Sequence, residues 1–130
     1  MKKLNLLYNT IRIIFGLIII GSGIGMLVLG GFPIEYENST AKLYMDALEA
    51  LGYFVPFLAL VKIVSGVAFV TKRFVPLGLV IFMPVSVNMV VFHIFLEPTT
   101  GVGAYFILLM NTYLMFKHIE DYRPLLKAKV

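Results

Sequence analysis

Few residues in this chain are equipped for chemistry, and most of them sit where polar groups are costly. Lys62, Asn88 and Asn111 each interrupt a long apolar run, and His93 stands four residues before Glu97 in "VNMVVFHIFLEP", Val87 to Pro98. An amine and two carboxamides at similar positions along apolar helices would offer hydrogen-bond donors to a carbonyl-bearing ligand. Aromatic neighbours such as Phe92 and Tyr113 suit a flat apolar ring. A histidine and a carboxylate at helical i,i+4 spacing would stack on one face and pair, which places the imidazole where it could carry a proton. The plainer alternative is a helix-end histidine satisfied by Glu97 or by a lipid headgroup. His118, the other histidine, is predicted at the opposite end of its helix, most of a bilayer thickness of about 30 Å from His93. The two cannot share a haem iron. With no cysteine in the chain, thiolate metal sites and dithiol relays are excluded, and no metal site is expected.

The elements that must hold these groups follow from composition. Of 130 residues, 60% are apolar and only 14% charged, with a mean hydropathy of +0.94, well beyond what one soluble core requires. The expected class is an all-α, membrane-spanning bundle of four helices in a single domain over residues 1–130. Spans are predicted at about 11–31, 51–70, 75–96 and 102–118, each near the roughly 20 residues a bilayer needs. The first run is longer than a signal-peptide core, and no A-x-A pattern follows it, so a retained helix is expected. "STAKLYMDALEALGYF" has Leu43, Ala47 and Leu51 at helical spacing after a Ser/Thr cap, which predicts a short outer interfacial helix between the first and second spans. Only "TKRF" separates the second and third spans, so these should be antiparallel neighbours.

Basic residues orient the chain. With both termini cytoplasmic, Lys2, Lys3, Arg12, Lys72, Arg73, Lys117, Arg123, Lys127 and Lys129 share that side, and Lys42 alone lies opposite. The formal charge of +4 then describes a basic cytoplasmic face that attracts anionic lipid rather than nucleic acid. Depth along the helices, at about 1.5 Å per residue, puts Lys62, Asn88 and Asn111 in one midplane layer, with the Lys62 amine neutral or bonded to an asparagine carbonyl. Asn88 and His93 are about 7 Å apart along the helix axis and well round it, so His93 and Glu97 form a separate outer rim. Pro84 is expected to kink the third span one turn before Asn88.

In the first span, Gly21 and Gly25 have the GxxxG spacing that allows close helix contact, within the bundle or between copies in a homo-oligomer, while Arg12, Gly16 and Gly23 share another stripe. Gly66 follows Lys62 by four residues. Taken together, "R-I-x-x-G" at Arg12, Ile13 and Gly16, a polar residue four before Gly66, "TKRFVPL" at Thr71 to Leu77, and "VNMVVFHIFLEP" resemble the DoxX-like family of small four-helix membrane proteins. The resemblance spans nearly the whole chain. It implies a compact bacterial cytoplasmic-membrane protein of a family linked to quinone-coupled sulfur oxidation and to oxidative-stress complexes. It also leads to an acidic residue at position 62, where this chain has lysine.

Three functions fit these residues. The first is an accessory subunit of a membrane redox system, not an enzyme by itself, that binds a quinone or similar apolar ligand, or a lipid. Lys62, Asn88, Phe92, Asn111 and Tyr113 would line its pocket, with His93 and Glu97 near the mouth. It would need a redox partner protein, because the chain offers no redox centre of its own. The second is a structural or assembly protein whose polar residues fix helix register. The third is a small-solute transporter, disfavoured by the short chain and the absence of a duplicated half. An ion channel would need a selectivity filter, which the sequence lacks.

Overall fold

The computed structural model describes residues 2–32 and 34–129 and, among these, is all-helical without strands. Six α-helices follow in order: α1 (Lys2–Leu29), α2 (Ser39–Ala50), α3 (Phe54–Thr71), α4 (Val75–Leu96), α5 (Val102–Lys117) and the single turn α6 (Ile119–Tyr122). Short 3-10 turns occupy Pro98–Thr100 and Arg123–Leu126. Helices α1, α3 and α4 are long and apolar enough to cross a membrane, whereas α5, at 16 residues, is apolar but shorter. Their outward surfaces carry Val28, Phe57, Leu60, Phe95 and Phe106, all well exposed, an apolar exterior that water would not tolerate. This is a helical membrane protein.

Two boundaries differ from expectation. The first helix begins at Lys2 rather than near Ile11, because nothing in "KKLNLLYNT" breaks a helix and Leu4, Leu6 and Leu7 extend its apolar surface. The second predicted span starts at Phe54, not Leu51. Gly52 takes a left-handed φ of +76°, a conformation nearly free of cost only for glycine, and so separates α2 from α3. The "TKRF" link does make α3 and α4 neighbours; Lys72 and Phe74 both adopt left-handed backbone to close it.

Helix α1 buries Arg12, Phe15, Gly16, Ile19, Gly23 and Met26, a stripe at three- and four-residue spacing laid along α3. Phe15 stacks on Phe69 at 5.2 Å between centroids and meets Phe82 edge-on at 5.8 Å, which centres one core on α1, α3 and α4. A second, smaller core of Met26, Val55 and Ala59 lies toward the other end of the α1–α3 pair. The helices meet closely at Gly16 and Gly66, where a Cβ on either would stand within 3 Å of the other's carbonyl oxygen. Gly21 and Gly25 face open space instead. The internal contact therefore uses the Gly16 stripe and Gly66, and the GxxxG pair points outward. Gly16→Val should destabilise the fold by about 1–3 kcal/mol through overpacking, while Gly21→Val should leave it within about 1 kcal/mol, measured by thermal unfolding in detergent.

Candidate functional site

A cavity of about 330 Å³ opens between α1, α3 and α4 under the segment that joins α1 to α2. Its polar end is Lys62 on α3, buried to 7% exposure, whose Nζ donates to Ser22 Oγ of α1 at 3.0 Å. Asn88, Phe92 and His93 of α4 form a wall, and Tyr36 with Tyr44 and Met45 of α2 borders the open cavity above. Phe92 sits between the two tyrosines, with ring centroids 5.1 Å from Tyr36 and 5.4 Å from Tyr44. Pro84 also lines the cavity. Its missing N–H leaves the Val80 carbonyl without the usual helical partner.

Three of the five ligand candidates, Lys62, Asn88 and Phe92, border this space. Asn111 and Tyr113 do not. Asn111 is fully buried and donates through Nδ2 to Ser86 Oγ at 3.3 Å and to Met83 Sδ at 3.4 Å. Residues 86 and 88 are two apart, about 200° round a helix, so the α4 face that meets α5 is not the face that meets the cavity. The single midplane layer thus divides in two. Lys62 finds a serine hydroxyl rather than an asparagine carbonyl, because neither asparagine reaches it. Tyr113 packs beside the larger core, with Lys117 Nζ 5.6 Å from its ring centroid.

The outer rim is also rearranged. Helix α4 ends at Leu96, and Glu97 has φ −147° and ψ 77°, so its side chain leaves the helical i+4 position and does not stack on His93. His93 Nδ1 instead lies 3.2 Å from the Glu97 backbone oxygen. The Glu97 carboxylate accepts from the Asn38 amide at 2.5 Å and from Thr100 Oγ1 at 3.2 Å. Asn38 in turn caps α2 through its side chain, accepting from the Thr40 and Ala41 amides, where the sequence suggested a Ser/Thr cap. Glu97 therefore anchors the start of α2 over the cavity. Helix α2 turns Tyr44, Met45 and Leu48 inward, while Leu43 and Leu51 are exposed, one position off the predicted stripe. Tyr36 beside it has its phenol pKa raised by burial and then by the Glu97 charge.

A second polar group lies at the opposite end and was invisible as a unit in sequence. Tyr8 Oη is 2.6 Å from His118 Nε2, and His118 Nδ1 is 2.8 Å from Asp121 Oδ2, linking the first helix to the last. Nearby, Tyr122 donates to the Pro76 carbonyl at 2.8 Å. Its phenol is pushed up to about 12 by burial, then by Asp121 and Tyr8. Because the folded value lies above the ordinary 10, Tyr122 contributes stability that is complete below about pH 10 and lost as pH rises toward about 12. Tyr122→Phe should flatten the alkaline limb of thermal stability against pH, read by circular dichroism melts from pH 8 to 12.

Among the described residues no group of three His, Asp or Glu side chains is placed to hold a metal. No family model matches the chain, nor does any characterised protein or solved structure. What the site can do must be read from its own chemistry: an amine donor, a carboxamide and an imidazole border an apolar, aromatic-walled space in which no carboxylate takes part.

Proposed function

We propose that the protein is an accessory subunit of a membrane redox system that holds a quinone-type aromatic ligand in the α1–α3–α4 cavity. The carrying observation is Lys62, a buried amine with one serine partner, bordering an apolar space. A lysine so placed in a membrane costs at least about 3 kcal/mol, a cost that a ligand carbonyl accepting its remaining protons would offset. Asn88, which has no hydrogen-bond partner among the described residues and borders the same space, supplies a second polar contact. The resemblance to the DoxX-like family supports this reading, and electrons would come from a partner protein.

In this reading α5 completes a four-helix bundle in a bacterial cytoplasmic membrane. Helix α2 rests at the outer interface, and both termini are cytoplasmic, where the basic residues meet anionic lipid. The test is extraction and mass spectrometry of the purified protein. A quinone-class molecule should co-purify, and Lys62→Leu and Asn88→Leu should lose it. Variants that assemble normally while no small molecule is found in the wild type would overturn the proposal in favour of a structural role, in which the Asn111–Ser86 contact fixes helix register.

A further inference from the structure

The chain contains seven tyrosines but no tryptophan and no cysteine, so the side chains open to one-electron oxidation are chiefly its phenols. One of these phenols has a base. Tyr8 Oη lies 2.6 Å from His118 Nε2, at the end of the bundle away from the cavity. His118 Nδ1 lies 2.8 Å from Asp121 Oδ2, and a carboxylate can only accept, so Nδ1 carries the imidazole proton. Nε2 keeps its lone pair, and Tyr8 donates to it. Other tyrosines are placed differently. Tyr105 and Tyr122 donate to the backbone carbonyls of Pro98 and Pro76, which are too weakly basic to take up a proton, and the Tyr113 hydroxyl is buried without a partner. Among the described residues, Tyr8 alone of the tyrosines is hydrogen-bonded to a side-chain base.

We propose that Tyr8 is the residue at which this chain undergoes one-electron oxidation, its phenol proton passing to His118 Nε2 as the electron leaves. A phenol that has lost an electron is a strong acid. The Arg12 guanidinium carbon lies 5.8 Å from the Tyr8 ring centroid, so a positive charge left on the ring would be repelled. Electron and proton therefore leave together. The O–H bond breaks, His118 gains an N–H bond, and the electron reduces a one-electron metal oxidant. The products are a neutral phenoxyl radical and an imidazolium facing the Asp121 carboxylate, so the three side chains go from one net negative charge to none. Asp121 is a positioning residue, which holds the imidazole in one tautomer and then faces the cation. The His118 and Asp121 side chains are 21% and 55% exposed, so water reaches this pair while Tyr8 packs against the larger core. Reduction by one electron returns the proton from Nε2 to Oη and restores the site. This chemistry needs no ligand in the α1–α3–α4 cavity and stands apart from the reading above.

The experiment oxidises the full-length protein in detergent with flash-generated tris(bipyridine)ruthenium(III). Transient absorption follows the phenoxyl radical, and electron paramagnetic resonance of frozen samples counts it. Tyr8→Phe should remove most of the early radical, and Tyr122→Phe should leave it nearly unchanged. His118→Gly should slow radical formation by about 10²-fold, the lower end of what a positioned base contributes, and added imidazole should restore part of the rate. Rescue by a soluble base is not expected of a residue that only ties α1 to the end of α5. Asp121→Asn, whose amide can donate to Nδ1 and leave the proton on Nε2, should slow it as well. The wild type gives an answer that does not depend on how the variants fold, because its radical should form more slowly in D2O. An early radical undiminished in Tyr8→Phe would overturn the proposal. So would a rate that responds neither to His118→Gly nor to D2O.

Discussion

Lys62→Leu should give a protein that is harder to melt and unable to keep its ligand. The amine lies on a membrane-spanning helix with one hydrogen bond, to Ser22, and no ion pair among the described residues. Insertion scales separate lysine from leucine by about 3 kcal/mol at a helix centre, and one serine contact within the membrane returns about 0.6 kcal/mol. Ligand-free Lys62→Leu should therefore be more stable by about 2 kcal/mol, a rise in melting temperature of roughly 5 °C or more. Its affinity for a quinone-class probe should fall at least about tenfold, because a hydrogen bond to a buried donor is lost. Thermal melts in detergent with and without the probe read both effects. A Lys62→Leu protein that melts lower than the wild type would show that the lysine holds the fold together rather than serving a ligand.

Arg12→Leu should have the opposite sign. Arg12 is as buried as Lys62, yet its guanidinium donates to the Phe69 carbonyl, to the Val70 carbonyl at 3.4 Å and to Asn9 Oδ1 at 3.3 Å. Phe69 and Val70 belong to the last turn of α3, whose carbonyls have no partners within the helix and carry the negative end of its dipole. Removing the arginine strands these oxygens in an apolar setting. The expected loss is about 2–4 kcal/mol, seen as a lower melting temperature, with Arg12→Lys recovering only part because an ammonium lacks the planar fork. A loss below about 0.5 kcal/mol would mean that other groups already satisfy the end of α3. The contrast between the two cations is one of partners. Arg12 has a helix terminus to cap, and Lys62 has only a hydroxyl and an empty space.

Much of the architecture was legible because hydrophobic runs in a membrane protein are long and their breaks are marked by charge, glycine or proline. The bounds of α4 coincide with the predicted span, and the four-residue link to α3 was read directly. Side-chain partnerships were less legible. Depth along a helix can be counted from sequence, but azimuth depends on which neighbour packs where, so Asn88 and Asn111, expected at one depth, do not share a space. The same problem decided the glycines. Helix α1 offers two small-residue stripes, and Gly66 on the partner helix selects the one through Gly16. Glu97 was misplaced because i,i+4 reasoning assumes the helix continues, whereas Pro98 ends it one residue earlier. Ser22 and Ser86, lone hydroxyls in apolar runs, are the sequence signals for the partners of Lys62 and Asn111. The Tyr8–His118–Asp121 chain joins parts of the sequence too distant for spacing to suggest it.

The links made by α1 also set an order of events during synthesis. Arg12 must wait 57 residues for Phe69, and Tyr8 must wait 110 for His118. At translation rates of about 5–20 residues per second, these intervals are roughly 3–11 s and 6–22 s. For that time the first helix occupies the bilayer with an uncapped cation near one end. The Phe69 carbonyl is an early checkpoint and the imidazole a late one, so a chain stopped after α4 can satisfy Arg12 but not Tyr8. Of the six helices, α1 is made first and is the last to be fully satisfied.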